Sequence, residues 1–244
     1  MMSLTTIERE GCPSTPEPVA KGYLRGQLTQ SAGRLGLTTS AIERFVECAQ
    51  LTHWRAGQRI YGGHDVEELT NFVVSGVVRI ACAGQARGAV TVQLIRPGRF
   101  FGLTWPFEDR GPRQFSAVAH VPSLVAMVSR DVMATIVAGL PPSGAQRLIG
   151  YSWRSTSRLL LEKCRLLRLP LRDRVIEELR ALARDFGKPI AGGILIDVPL
   201  THLDVAELVA ATRSNVSRCL GALRRSGRVE MMGHRIVLIE PRVH

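Results

Sequence analysis

The chain has 244 residues, 45% of them hydrophobic, with a formal charge of +11 and a pI near 10.4, so it can build one or two packed domains, two being expected, and it favours a polyanionic partner. Its five cysteines (Cys12, Cys48, Cys82, Cys164, Cys219) are odd in number and widely spread, which excludes a disulfide framework and a C-x-x-C metal site. The amino terminus lacks a basic run followed by an apolar stretch and no run approaches eighteen apolar residues, so a cytoplasmic protein that neither enters nor crosses a membrane is expected.

The charge is unevenly placed. Residues 147–188 hold eleven Lys and Arg against five acids, and residues 201–244 hold seven Arg against four acids. Both segments lie in the second half of the chain. That places the polyanion-facing surface there, without separating DNA from RNA or an acidic membrane surface.

Residues 1–30 carry Pro13, Pro16 and Pro18 among Ser, Thr and Glu and read as a flexible tail. Thr39-Ser40 is expected to cap a short helix bearing Ile42, Phe45, Val46 and Ala49. From His53 to Val128, short β-rich runs alternate with turn residues: 58–61, 71–74, 77–82, 90–95, 116–120 and 124–129, split by Gly62-Gly63-His64-Asp65, Ser75-Gly76, Gly84 and Pro97-Gly98. This texture predicts an antiparallel, jelly-roll-like β-roll, and residues 31–142 are assigned to an effector-sensing domain.

Residues 143–169 read as one long helix stopped by Pro170. Leu148, Trp153, Thr156, Leu160, Lys163 and Leu167 recur on one side of it, which predicts a homodimer seam; an ordinary core helix is the alternative. Cys164 in that seam is read as an inert buried thiol. A second helix, 172–186, presents Val175, Ile176, Leu179, Leu182 and Ala183 before Gly187 and Pro189 end it, and a strand follows over 194–198.

Residues 170–244 then spell a winged helix-turn-helix. Thr201 and Asp204 cap a helix with Leu203, Ala206, Leu208 and Val209 at core positions, Ala210-Ala211-Thr212 turns the corner, and 213–226 forms the second helix on Val216, Leu220 and Leu223. Opposite that apolar stripe stand Arg213, Ser214, Ser217 and Arg218, at the end of the helix that meets base edges in a major groove. Arg suits that place because its planar fork donates two hydrogen bonds to guanine O6 and N7. A hairpin over 228–239 turning at Gly233-His234 completes the wing, and Thr201, Thr212, Asn215, Arg224, Arg225, Arg228 and Arg235 are the candidates for phosphate contact. Double-stranded DNA is the expected partner.

Three stretches carry a family resemblance over roughly residues 39–241. Thr212-Arg213-Ser214-Asn215-Val216-Ser217-Arg218, Leu171-Arg172-Asp173-Arg174-Val175, and the turns Val74-Ser75-Gly76-Val77-Val78 and Pro97-Gly98-Arg99-Phe100-Phe101-Gly102 resemble segments of the CRP/FNR family of bacterial regulators. The resemblance implies an α+β protein: an amino-terminal β-roll, a long dimerisation helix and a carboxy-terminal winged helix-turn-helix. It further implies a homodimer on a two-fold-related site, contacting RNA polymerase if it activates. The chain departs from the family at Ser214, where Glu is usual, so a different half-site is expected.

Cyclic-nucleotide members of the family carry a Glu after the Phe-Gly turn, an Arg-Ser/Thr pair for the phosphate and Thr-Ser on the long helix. This chain has Leu103, Phe115-Ser116 with Arg113 displaced by two positions, and Leu159-Leu160. Cyclic AMP in the usual pose is therefore not expected. Cys12 stands without the clustered thiolates an iron–sulfur centre needs. The haem-binding relative places Cys and His after the turn where this chain has Gly102 and Thr104, so His120 and Cys82 are read as strand residues rather than ligands. No cofactor is expected, with a cyclic nucleotide or haem left open. What remains is an apolar effector pocket built from Phe100, Phe101, Gly102, Leu103, Thr104, Trp105, Phe107, Arg113, Phe115 and Ser116, closed by Leu159 and Leu160, or else no effector. The six histidines are far apart in sequence, which argues against a cupin-like metalloenzyme; an ungated architectural DNA binder is the remaining alternative.

Overall fold

The structure is a computed structural model that describes residues 16–63, 69–82, 90–102, 113–166 and 168–239, with the backbone alone at Gly63, Arg113 and Gln114. Leu103, Thr104, Trp105, Phe107 and Leu167 lie outside these residues.

The described residues begin with two helices, α1 (Glu17–Leu35) and α2 (Thr39–Cys48). The flexible tail expected through residue 30 thus fails from Glu17 onward. Ala20, Leu24, Leu28, Ser31 and Leu35 recur every three or four residues on one buried face, a stripe hidden in the sequence by its small and hydroxyl members. Gly36, in the left-handed region at φ 70°, ends α1, and a Cβ there would lie 2.1 Å from the Gly144 carbonyl oxygen. The helix α2 is capped by Thr38, whose hydroxyl accepts from the Ala41 amide, not by Thr39 or Ser40.

Among the described residues eight strands follow: β1 (Gln50–Trp54), β2 (Arg59–Gly63), β3 (Leu69–Ser75), β4 (Val78–Cys82), β5 (Val90–Ile95), β6 (Phe100–Phe101), β7 (Arg113–Ala119) and β8 (Ser123–Ser129). They form two antiparallel sheets, ordered β1-β8-β3-β6 and β2-β7-β4-β5. The first sheet is covered on both faces, which explains why β3 is buried almost throughout. Its alternate residues divide accordingly. Val73, Val125 and Phe101 point into the sandwich with Trp54, Val78 and Ile95, whereas Phe72, Val74, Ala126 and Phe100 pack outward against α1, α2 and α3 (Arg130–Ala138).

The 25-residue α4 (Pro142–Leu166), roughly 37 Å long at 1.5 Å per residue, leads to α5 (Leu171–Phe186). Next comes a hairpin of β9 (Gly187–Ile190) and β10 (Gly193–Ile196), where a single strand was expected. Helices α6 (His202–Leu208) and α7 (Arg213–Arg225) and strands β11 (Val229–Met232) and β12 (Arg235–Leu238) complete the chain, with the third sheet ordered β11-β12-β10-β9. Val175, Leu179, Ile196, Val205, Val216, Leu223 and Ile236 form its core, and Val77 and Leu94 of the β-roll pack into the same cluster. Among the described residues no helix is long and apolar enough to cross a membrane.

Candidate nucleic-acid interface

Local chemistry fixes the two helices of the reading unit. The Thr201 hydroxyl accepts from the Asp204 amide (3.1 Å) while the Asp204 carboxylate accepts from the Thr201 amide (2.7 Å), a reciprocal capping box that starts α6. The corner is a Schellman turn: Ala211 N–H bonds to the Ala206 carbonyl (2.9 Å) and Ala210 N–H to that of Glu207 (3.4 Å). The left-handed position belongs to Ala210, φ 50°, where glycine is usual; the equivalent turn after α7 uses Gly227, φ 65°. Thr212 then caps α7, accepting from the Asn215 amide (3.4 Å).

With Val216, Leu220 and Leu223 buried, Arg213, Ser214, Asn215 and Arg218 stand exposed on the opposite face. Arg213 and Arg218 have no carboxylate partner among the described residues, and α7 contains no acid. The Arg218 guanidinium donates through Nη2 to Asn215 Oδ1 (2.5 Å). Ser217 differs from its expected role: half-buried, its hydroxyl meets His202 Nδ1 at 2.8 Å, so it joins α6 to α7 instead of facing outward. The hydroxyls of Thr201 and Thr212 are likewise engaged in caps, leaving phosphate binding to other groups at those positions. Arg224 and Arg225 are exposed, Arg228 is half-buried, and Arg235 pairs with Asp197 (3.0 Å) beside Lys188. The hydrogen bond from Lys188, more than the charge of Arg235, holds the Asp197 carboxyl below its ordinary range.

Three supporting contacts escaped the sequence reading. Arg174 of α5 donates to the Val209 carbonyl at the corner (3.0 Å). Glu207 of α6 is gripped by Arg79 and Thr91 of the β-roll, and His120 Nε2 donates to the Pro199 carbonyl (2.7 Å) with Nδ1 3.9 Å from Asp204. The only sequence signal for Arg174 was its place in the resemblance; long-range pairs such as Arg79 with Glu207 leave no local pattern.

Among the described residues, those expected to line an apolar effector pocket do not come together. Phe100 and Phe101 are neighbours on a strand and so enter different cores, Phe101 stacking on Tyr61 in the sandwich and Phe100 meeting Phe45 and Phe72 outside it. Gly102 closes against Asn71 and Tyr61, Phe115 is 48% exposed, and Ser116 is half-buried near the Ala81 carbonyl. Leu160 is 63% exposed and faces away, whereas Leu159 lines a different, arginine-rich cleft. Leu103 and Thr104 lie outside the described residues, as does the Arg113 side chain.

On α4, Ile149, Trp153, Leu160 and Leu161 are all exposed, with Thr156 beside them. Leu148 and Lys163, expected in the same seam, turn inward: Leu148 packs under α1 and Lys163 lies 3.5 Å from Glu178 of α5. Burial raises the Glu178 carboxyl above its ordinary range against the opposing pull of Lys163. Cys164, expected to be buried, is exposed. Among the described residues no group of three or more His, Cys, Asp or Glu gathers to hold a metal ion.

Residues 51–139 match the cyclic nucleotide-binding domain and residues 173–242 the Crp-like helix-turn-helix domain. The global nitrogen regulator of Synechococcus elongatus is 31% identical over 196 residues, covering 79% of this chain and 86% of that protein. Among solved structures, FixK2 of Bradyrhizobium japonicum superposes with a TM-score of 0.66 at 25% identity, covering 78% of this chain and 92% of that one. The c-di-GMP responsive regulator CLP of Xanthomonas campestris gives 0.68 at 20% identity, covering 84% of this chain and all of that one, a likeness of fold.

Proposed function

The chain belongs to the CRP/FNR family of transcription regulators, which are not enzymes, and from that premise we infer that it acts as a homodimer on a two-fold-related DNA site. Arg213, Ser214 and Arg218 read base edges, while Arg224, Arg225, Arg228 and Arg235 engage phosphates. The observation that carries this reading is the exposed, carboxylate-free face of Arg213 and Arg218 on the first two turns of a capped helix.

Dimerisation rests on Ile149, Trp153, Leu160 and Leu161, whose exposure on one long helix calls for an apolar partner. A second copy meeting it along α4 sets two reading helices on half-sites about one helical turn apart. Ser214, in place of the usual Glu, gives the half-site its own sequence. The controlling signal is one other than cyclic AMP in the usual pose, or none: the chain carries an exposed Phe115 where cyclic-nucleotide members place an arginine.

Selection from random duplexes, followed by gel shift of the selected site at several salt concentrations, tests the reading. Enrichment of one palindrome and a preference that persists as salt rises support it; equal affinity for all duplexes contradicts it.

A further inference from the structure

Between α1, the turn linking β5 to β6 and the middle of α4 lies a cleft of about 240 Å³ lined by Arg34, Arg96, Arg99, Tyr151, Arg154 and Arg158. Its lining also includes two acids, Glu162 and Asp185, and both are engaged. Glu162 accepts from Arg158 and Arg184 (both 3.1 Å), and Asp185 lies 3.7 Å from Arg96 Nε and 3.9 Å from Arg158 Nη2. Arg34, Arg99 and Arg154 are left without a carboxylate partner among the described residues. Arg34 and Arg99 stand 5.6 and 5.7 Å from the centre of the Tyr151 ring, and Arg99 donates to the Tyr151 hydroxyl (2.9 Å). Arg96 keeps a buried Nε with no hydrogen-bond partner.

Gathering guanidinium groups this way costs free energy, because like charges repel and a buried donor goes unused. Burial first, and then the charge of Arg99, hold the Arg34 guanidinium below its ordinary range. We propose that the cleft binds one small polyanion per chain, a ligand with two or more phosphate or carboxylate groups held by the Arg34, Arg99 and Arg154 forks. Carboxylate and phosphate oxygens take paired hydrogen bonds from the planar arginine fork, which satisfies the open donors and offsets the repulsion. The volume is below that of pockets for drug-sized ligands, so the anion is compact. The cleft lies apart from α7, and its α4 residues Tyr151, Arg158 and Glu162 face away from Trp153 and Leu160, so an α4 seam leaves it open. Asp185 belongs to α5, and through Arg96 and Arg158 an occupied cleft is coupled to the winged domain.

Calorimetric titration of the DNA-free full chain with pyrophosphate and, separately, with citrate tests this. Saturable binding of at least one of them, one per chain, is expected; which one binds identifies the oxyanion class. Arg99→Gln and Arg154→Gln, each checked for folding by circular dichroism, weaken it by about tenfold or more, the loss of one charge-assisted contact. Arg44→Gln on exposed α2 removes the same charge elsewhere and leaves the affinity unchanged. Absence of saturable binding for both anions, or equal loss in the cleft variants and the control variant, overturns the proposal.

Discussion

Glu207 of α6 accepts hydrogen bonds from Arg79 of β4 (2.5 Å) and from Thr91 of β5 (2.8 Å), both on the same carboxylate oxygen. All three side chains are half-buried or buried, and Val77 and Leu94 of the β-roll enter the winged core beside them. The first helix of the reading unit is therefore latched to the β-roll of its own chain. Removing Arg79 leaves the Glu207 carboxylate enclosed without its cationic partner. Arg79→Met is expected to lower unfolding free energy by about 1–3 kcal/mol in denaturant titration, and to speed hydrogen exchange across α6. Thr91→Val has a smaller effect of the same sign.

The corner between α6 and α7 holds Ala210 at φ 50°, a region in which a Cβ costs roughly 1–2 kcal/mol. Glycine there removes the strain and adds some unfolded-chain entropy, about 0.4–1 kcal/mol. Ala210→Gly should therefore raise stability by up to about 1 kcal/mol in thermal or denaturant unfolding, with the fold unchanged. A fall in stability would show that the strain at Ala210 is smaller than the unfolded-chain entropy that glycine adds.

Burial raises the Glu178 carboxyl above its ordinary value of 4.5, so the folded chain binds this proton more readily than the unfolded chain. The sign follows from linkage: this group's contribution is most favourable below pH 4.5 and is lost as pH rises through the folded-state value. At neutral pH the carboxylate is the penalised form. Glu178→Gln is expected to stabilise at pH 7 by on the order of 1 kcal/mol, with the gain shrinking to nothing in melting curves recorded below about pH 4.5. Destabilisation at pH 7 would mean that the contact with Lys163 outweighs burial.

Trp153 is 73% exposed on α4, in line with Ile149 and Leu160. Trp153→Glu places a charge in the proposed seam, and a central aromatic anchor is worth about 2 kcal/mol or more. Sedimentation velocity should then find monomer at concentrations where the parent chain is dimeric. An unchanged sedimentation coefficient would place the dimer contact elsewhere.

The helix-turn-helix was legible because its signals are local: Thr201 with Asp204, Thr212 three residues before Asn215, and the Val216, Leu220, Leu223 stripe all act within a few residues. The β-roll was legible as turns and short strands, but strand pairs that meet only across the sheet, such as β1 with β8, were not. Helix α1 was missed because prolines at its start and the Ala20 and Ser31 members of its buried face mask its period. Phe100 and Phe101, expected to line one pocket, parted for a related reason. Neighbouring aromatics in a sequence suggest one cluster, whereas strand alternation sends Phe100 and Phe101 to opposite faces. The arginine cleft draws Arg34, Arg99 and Arg154 from three distant segments, a convergence with no sequence signature.

Base reading by α7 is the centre of the account, and comparing selected DNA sites for the parent chain, Arg213→Ala and Arg218→Ala tests it most directly. Each good arginine-to-guanine contact is worth about 1–3 kcal/mol of discrimination. Each variant should remain dimeric and retain salt-dependent binding to any duplex, yet lose roughly five- to a hundredfold of its preference for the parent site, with degeneracy confined to the base pair that arginine reads. Full retention of the parent site preference in both variants would contradict α7 as the reading helix.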